Sequence, residues 1–140
     1  MDKKKLQEKY VELQLLSMQI KQVEEQLNAL DQKTFELVNL RESLHNLHHT
    51  KANSKSFVPV GPGVFASGAI ENTEEVLLNV GAGIMIRKNA HEAEESITKQ
   101  IGQLEDLTLE LSHDLKELAT RAQAVEVELE NLATQSEKQK

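Results

Sequence analysis

The sequence predicts a mainly α-helical chain with a small β-region: a coiled coil of two long antiparallel helices flanking two β-hairpins. Three observations predict it. A seven-residue apolar repeat runs through the first fifty residues, and a second one runs through the last fifty. Between them lie two pairs of short β-type runs, joined by Gly61-Pro62-Gly63 and Gly81-Ala82-Gly83. The expected division is 1–50 for the N-terminal coiled-coil helix, 51–90 for a linker and the two hairpins, and 91–140 for the C-terminal coiled-coil helix.

The first helix is read from two rows of residues. Leu6, Leu13, Ile20, Leu27, Thr34 and Arg41 form one row. Lys9, Leu16, Val23, Leu30, Leu37 and Leu44 form the other, three positions on. They are the a and d positions of a heptad pattern, kept for more than five heptads with no Gly or Pro inside it. A helix over 3–49 is roughly 70 Å long at the α-helical rise.

The middle segment has a different texture. Lys51-Ala52-Asn53-Ser54-Lys55-Ser56 is polar and reads as a linker. Ser56–Val60 and Val64–Ile70 then make one hairpin, and Glu75–Val80 and Ile84–Lys88 make the other, with Glu71-Asn72-Thr73 between them. Val76-Leu77-Leu78 and Ile84-Met85-Ile86 are apolar on both faces. Isolated hairpins are marginal in water, and open strand edges invite further strands. Oligomerisation is therefore a physical demand of this region. Val58, Val60, Phe65, Val76, Leu78, Val80, Ile84 and Ile86 are its candidate assembly residues.

The second helix opens at Asn89-Ala90-His91-Glu92, an N-cap with a Glu at the third helical position to close a capping box. Ile97, Leu104, Leu111, Leu118, Val125 and Leu132 form its d row. Ile101, Thr108, Leu115, Ala122 and Leu129 form its a row. Gly102 is the weak point. Layering the a positions of one helix on the d positions of the other, with the ends flush, pairs residues whose numbers sum to 138. Leu6 then faces Leu132, Leu13 faces Val125, and Leu37 faces Ile101. Sums of 131 or 145 keep the same layering but leave one helix overhanging by a heptad.

Composition excludes several functions. The chain of 140 residues has no Cys and no Trp, one Tyr and three Phe, so thiol chemistry and disulfides are absent and no ring-anchored globule is expected. The net charge is −7, and residues 91–140, with 12 acidic and 5 basic groups, carry all of it. The only basic cluster, Lys3-Lys4-Lys5, reads as a solvated helix start, so no nucleic-acid partner is expected. No run is long and apolar enough to span a membrane, and no secretory leader is read, so a cytoplasmic, soluble chain without a membrane partner is expected.

No motif supports an enzyme or a cofactor. The glycine turns lack the Gly-Lys-Ser/Thr ending and the following helix of a phosphate loop. Ser112-His113-Asp114 are adjacent on a helix and point to different faces, so they cannot form a triad. His45, His48 and His49 have a spacing that suits a metal, but with few other ligands nearby they read as a solvated helix end, where positive charge suits the dipole.

The middle segment resembles the α-type subunits of the prefoldin family, archaeal-like and of the two-hairpin class. Val58-Pro59-Val60-Gly61-Pro62-Gly63-Val64-Phe65 is similar to the family's first hairpin. Glu75–Ile84 is similar to its valine-rich strand and Gly-Ala-Gly turn, and the stretch to Glu92-Ala93 resembles its lead into the second helix. The resemblance implies that the hairpins join an oligomeric β-barrel in a hexamer of two α-type and four β-type subunits. It also implies an ATP-independent molecular chaperone, a holdase that captures unfolded proteins at its coiled-coil ends and passes them to a group II chaperonin.

One feature points the same way independently. Val11, Leu15 and Met18 fall at f, c and f positions, outside the seam, and align as a second apolar stripe on the first helix. Tyr10 adjoins them, and on the second helix Ala124 and Val127 are also off the seam, expected near the same free end. Contiguous exposed apolar patches mark interaction sites. Tyr10, Val11, Leu15, Met18 and Val127 are therefore the candidate client-binding residues. The competing reading is a structural coiled-coil scaffold or adaptor, which needs a fixed patch for one folded partner where a holdase needs an adaptable one.

Overall fold

A computed structural model describes residues 2–138. Helix α1 runs Asp2–His48, strands β1 Ser54–Gly61, β2 Val64–Ile70, β3 Glu75–Asn79 and β4 Met85–Asn89 follow, and α2 runs Ala90–Lys138. The chain divides into two compact units. One is built from the described residues up to Lys33 and from Leu104 onward, the other from Thr34–Gln103.

In the first unit the seam rows lie at the interface between the two helices. Leu16 and Val125 are buried, and Leu6, Leu13, Ile20, Val23, Leu27 and Leu30 are half-buried. On α2 the same holds for Leu104, Leu111, Leu115, Leu118, Leu129 and Leu132. Intervening residues are exposed with few exceptions, as a 3.5-residue repeat requires. Lys9, at a d position, spans the seam: its Nζ lies 2.9 Å from Glu128 and 3.1 Å from Glu12. The Lys9–Glu128 pair places the helices in the register expected from the a–d layering, to within one residue.

The second unit holds the better-buried core. Leu37 and Leu44 of α1 and Ala90, Ala93, Ile97 and Ile101 of α2 are all buried. Here His45 and Glu94 approach to 3.4 Å, which straddles the same register from the other side. The side chain of Asn89 accepts a hydrogen bond from the His91 amide at 2.8 Å, so the expected N-cap of α2 is in place. The Ala90 amide donates to the Glu74 carbonyl at 2.6 Å, tying the helix start to the second hairpin.

Both hairpins are antiparallel two-stranded sheets, β1 with β2 and β3 with β4. The expected linker ends early. Ser54 and Lys55, ahead of the expected start at Ser56, pair with Ile70 and Ala69, so His49–Asn53 connects α1 to β1. Backbone pairing is indifferent to side-chain polarity, and an exposed strand tolerates Ser and Lys; composition therefore hid the extra length. Asn53 takes φ +64 at the corner, a region in which Asn is readily accommodated.

The second turn is built from left-handed residues. Gly81, Ala82 and Gly83 take φ of +107, +52 and +74 in succession, closed by Val80 N–H to the Ile84 carbonyl at 3.0 Å. Asn79 Oδ1 accepts from the Gly81 amide at 3.0 Å and starts the turn. Glycine costs nothing in this region, whereas Ala82 carries about 1 kcal/mol of steric cost.

Candidate functional site

The stripe on α1 lies in solvent. Tyr10, Val11, Leu15 and Met18 are 56%, 47%, 55% and 69% exposed, and Val127 on α2 is 51% exposed. Heptad geometry explains it: a helix buries its a and d positions against its partner, and these residues fall outside both rows. Leu15 and Met18 line one shallow groove with the polar Gln19, Gln22 and Glu25 along the same helix. The stripe is thus an apolar band beside a hydrogen-bonding rim.

Tyr10 also lines a second feature that the sequence reading did not single out. Leu6 and Tyr10 of α1 face Leu129 and Ala133 of α2 across a groove of about 630 Å³, with Lys3, Gln7 and Glu130 completing its lining. Leu6 and Leu129 were read as seam residues, and both are only half-buried. The small side chain of Ala133 opposite the Tyr10 ring leaves the seam unfilled on that flank. Tyr10 therefore belongs both to the outer stripe and to the groove. Such a groove depends on residues more than a hundred positions apart, so only the helix register, carried through to this layer, would have indicated it.

On the other flank, hydrogen bonds to Glu128 and then Glu12 hold the Lys9 ammonium charged above the usual lysine range. The local chemistry is that of an apolar surface framed by mixed charge.

The candidate assembly residues divide by face. In the first hairpin Val58 opposes Ala66, and Phe65 opposes Pro59, so Val58 and Phe65 lie on opposite faces. Val58, Val60 and Phe65 are all exposed, as is Phe57, which sequence reasoning left out although it shares the Pro59–Phe65 face. Gly68 receives Val58, whose Cγ2 lies 3.1 Å from where a Cβ would stand. In the second hairpin Val76, Leu78 and Ile86 share one face and are half-buried, and Val80 and Ile84 extend beyond the ladder, exposed. Leu77 and Met85, on the opposite face, are exposed at 62% and 52%. Both hairpins thus present apolar side chains on both faces.

Among the described residues, no group of three or more His, Cys, Asp or Glu side chains is arranged to hold a metal ion. No described helix is long and apolar enough to cross a membrane.

Comparison with known proteins places this geometry. A family model described as Prefoldin subunit matches residues 16–135. The prefoldin subunit alpha of Methanosarcina barkeri is 30% identical over 122 residues, 87% of this chain and 82% of its own. That of Methanococcus vannielii is 25% identical over 134 residues, 96% of this chain and 90% of its own. The prefoldin subunit alpha 2 of Thermococcus kodakarensis is 37% identical over 76 residues, 54% of each chain. Among solved structures, a filamentous prefoldin from Methanocaldococcus jannaschii superposes with a TM-score of 0.72 at 23% identity, covering 82% of this chain and 95% of the other, which establishes the shared fold. Two long helices around two hairpins, a sustained heptad seam and these matches together assign the chain to the prefoldin family of chaperone subunits, as an α-type member.

Proposed function

We propose that this subunit is an ATP-independent holdase: its hairpins assemble with β-type prefoldin subunits, two α with four β, and its helix ends capture unfolded chains. The observation that carries the reading is the exposed stripe of Tyr10, Val11, Leu15 and Met18, continuous through Tyr10 with the Leu6–Leu129 groove and accompanied by Val127. Unfolded proteins present scattered apolar side chains in no fixed geometry. A flexible Met beside Leu and Val can repack around them, while the groove accepts a larger side chain. Binding of this kind needs no nucleophile and no nucleotide, and the subunit is read as a binding protein without enzymatic activity. Its expected setting is the cytoplasm, where captured chains pass to a group II chaperonin.

The test is suppression of aggregation of a chemically denatured protein, without ATP, by the assembled complex. Changing Val11, Leu15 and Met18 together to Ser removes roughly 100–200 Å² of apolar contact, or about 2–5 kcal/mol per engaged site. Several subunits holding one client multiply the loss through effective concentration. The variant should protect markedly less well at equal assembly mass and helicity, measured with β-type subunits whose helix ends are shortened so that they do not mask the effect. Full protection by the triple variant would instead favour an adaptor that grips one folded partner elsewhere.

A further inference from the structure

The histidines at the end of α1 belong neither to the exposed stripe nor to the candidate assembly residues. His45 lies in the last turn of α1, and His49 lies in the turn that follows it, with its amide donating to the Asn46 carbonyl at 3.2 Å. Both side chains are exposed, and their ring centroids are 4.7 Å apart, edge to face. An imidazole nitrogen binds a zinc-class ion at about 2.1 Å, which sets the ring centroid about 3.2 Å from the metal. Two rings sharing one ion are therefore at most about 6.4 Å apart, and the observed spacing corresponds to ligands roughly at right angles. The rings of His48 and His91, 6.5 Å apart, lie just beyond that reach, whereas those of His48 and His49, 5.6 Å apart, lie within it; His45 with His49 is the closer pair and the one in which a ring has the Glu94 carboxylate beside it.

A second element completes the arrangement. Glu94, half-buried in the first turns of α2, sets Oε1 3.4 Å from His45 Nδ1. At this distance the carboxylate stands beside Nδ1 without a hydrogen bond to it, which leaves Nε2 as the ligand nitrogen and puts Glu94 where carboxylates orient metal-bound histidines. The last carbonyls of α1 add partial negative charge beside the site.

We propose that His45 and His49 bind a divalent first-row transition-metal ion, with Glu94 orienting His45 and water filling the remaining coordination positions. Because Glu94 belongs to α2, an occupied site links the last turn of α1 to the first turns of α2 beside the buried Leu44 and Ile97.

The untagged full-length chain is titrated with Zn²⁺ in competition with a chromophoric chelator. One ion should bind per chain. His45→Asn and His49→Asn should each weaken binding by about tenfold or more, and Glu94→Gln should weaken it severalfold. His113→Asn, an exposed histidine of α2 outside the pair, should leave it unchanged. Circular dichroism matching the parent's separates loss of a ligand from loss of helix. No Zn²⁺ binding by the parent, or binding that survives both His45→Asn and His49→Asn, overturns the proposal.

Discussion

Lys9 takes a seam position at which most of its counterparts are aliphatic, and it does so by reaching across to Glu128. An exposed ion pair of this kind adds little stability, and its value lies in choosing one register over neighbouring ones. Since its charged form is favoured in the folded chain by Glu128 and Glu12, its contribution is present through neutral pH. It disappears as pH rises through the raised lysine value. Relative to the parent, Lys9→Leu should raise the thermal midpoint at neutral pH and should lose less of it in strongly alkaline solution. Thermal melts at the two pH values check both signs. Gly102 offers a simpler case: nothing lies within 4 Å of where its Cβ would stand, and it sits inside α2. Gly102→Ala should stabilise the chain by about 1 kcal/mol in denaturant unfolding, because Gly gains the most backbone freedom on unfolding.

At the scale of elements, the heptad rows carried nearly all the information. Every seam residue named from the repeat is buried or half-buried, because burial in a helix pair is set by periodicity alone. The register followed from the same rule, and it predicts that Leu13→Cys with Val125→Cys cross-links readily under mild oxidation. Leu13→Cys with Leu118→Cys, a heptad off, should not, since about 10 Å of axial offset exceeds disulfide reach. Preferential cross-linking of the second pair would refute the register.

Less was legible where periodicity is silent. Ser54 and Lys55 joined β1 because backbone pairing does not need apolar side chains, and composition had marked them as linker. Phe35 and Leu109, two of the more exposed large side chains, belong to neither the seam nor the stripe, and no structural account of them emerges. The Leu6–Tyr10–Leu129–Ala133 groove was invisible because it arises from two segments meeting at one layer. The stripe itself could be read from position alone, since Val11, Leu15 and Met18 miss both heptad rows.

For the whole molecule, the proposed assembly rests on the hairpins. Phe57, Phe65, Leu77 and Met85 lie exposed on strands whose other faces carry Val58, Val76, Leu78 and Ile86. Two-stranded sheets with so much uncovered apolar surface are marginal alone, and in the proposed assembly strands of other subunits cover them. Leu78→Asp should abolish assembly, because burying an unpaired carboxylate costs far more than the lost leucine contact. The helical circular-dichroism signal, which comes from the long seam, should largely survive. The most direct measurement is the mass of the complex formed on co-expression with β-type subunits, by native mass spectrometry, for the parent and for Leu78→Asp. The account predicts a hexamer of two copies of this chain with four β-type subunits for the parent, and no hexamer for the variant. A parent chain that stays monomeric beside its β-type partners, or a variant hexamer of unchanged mass, would contradict it.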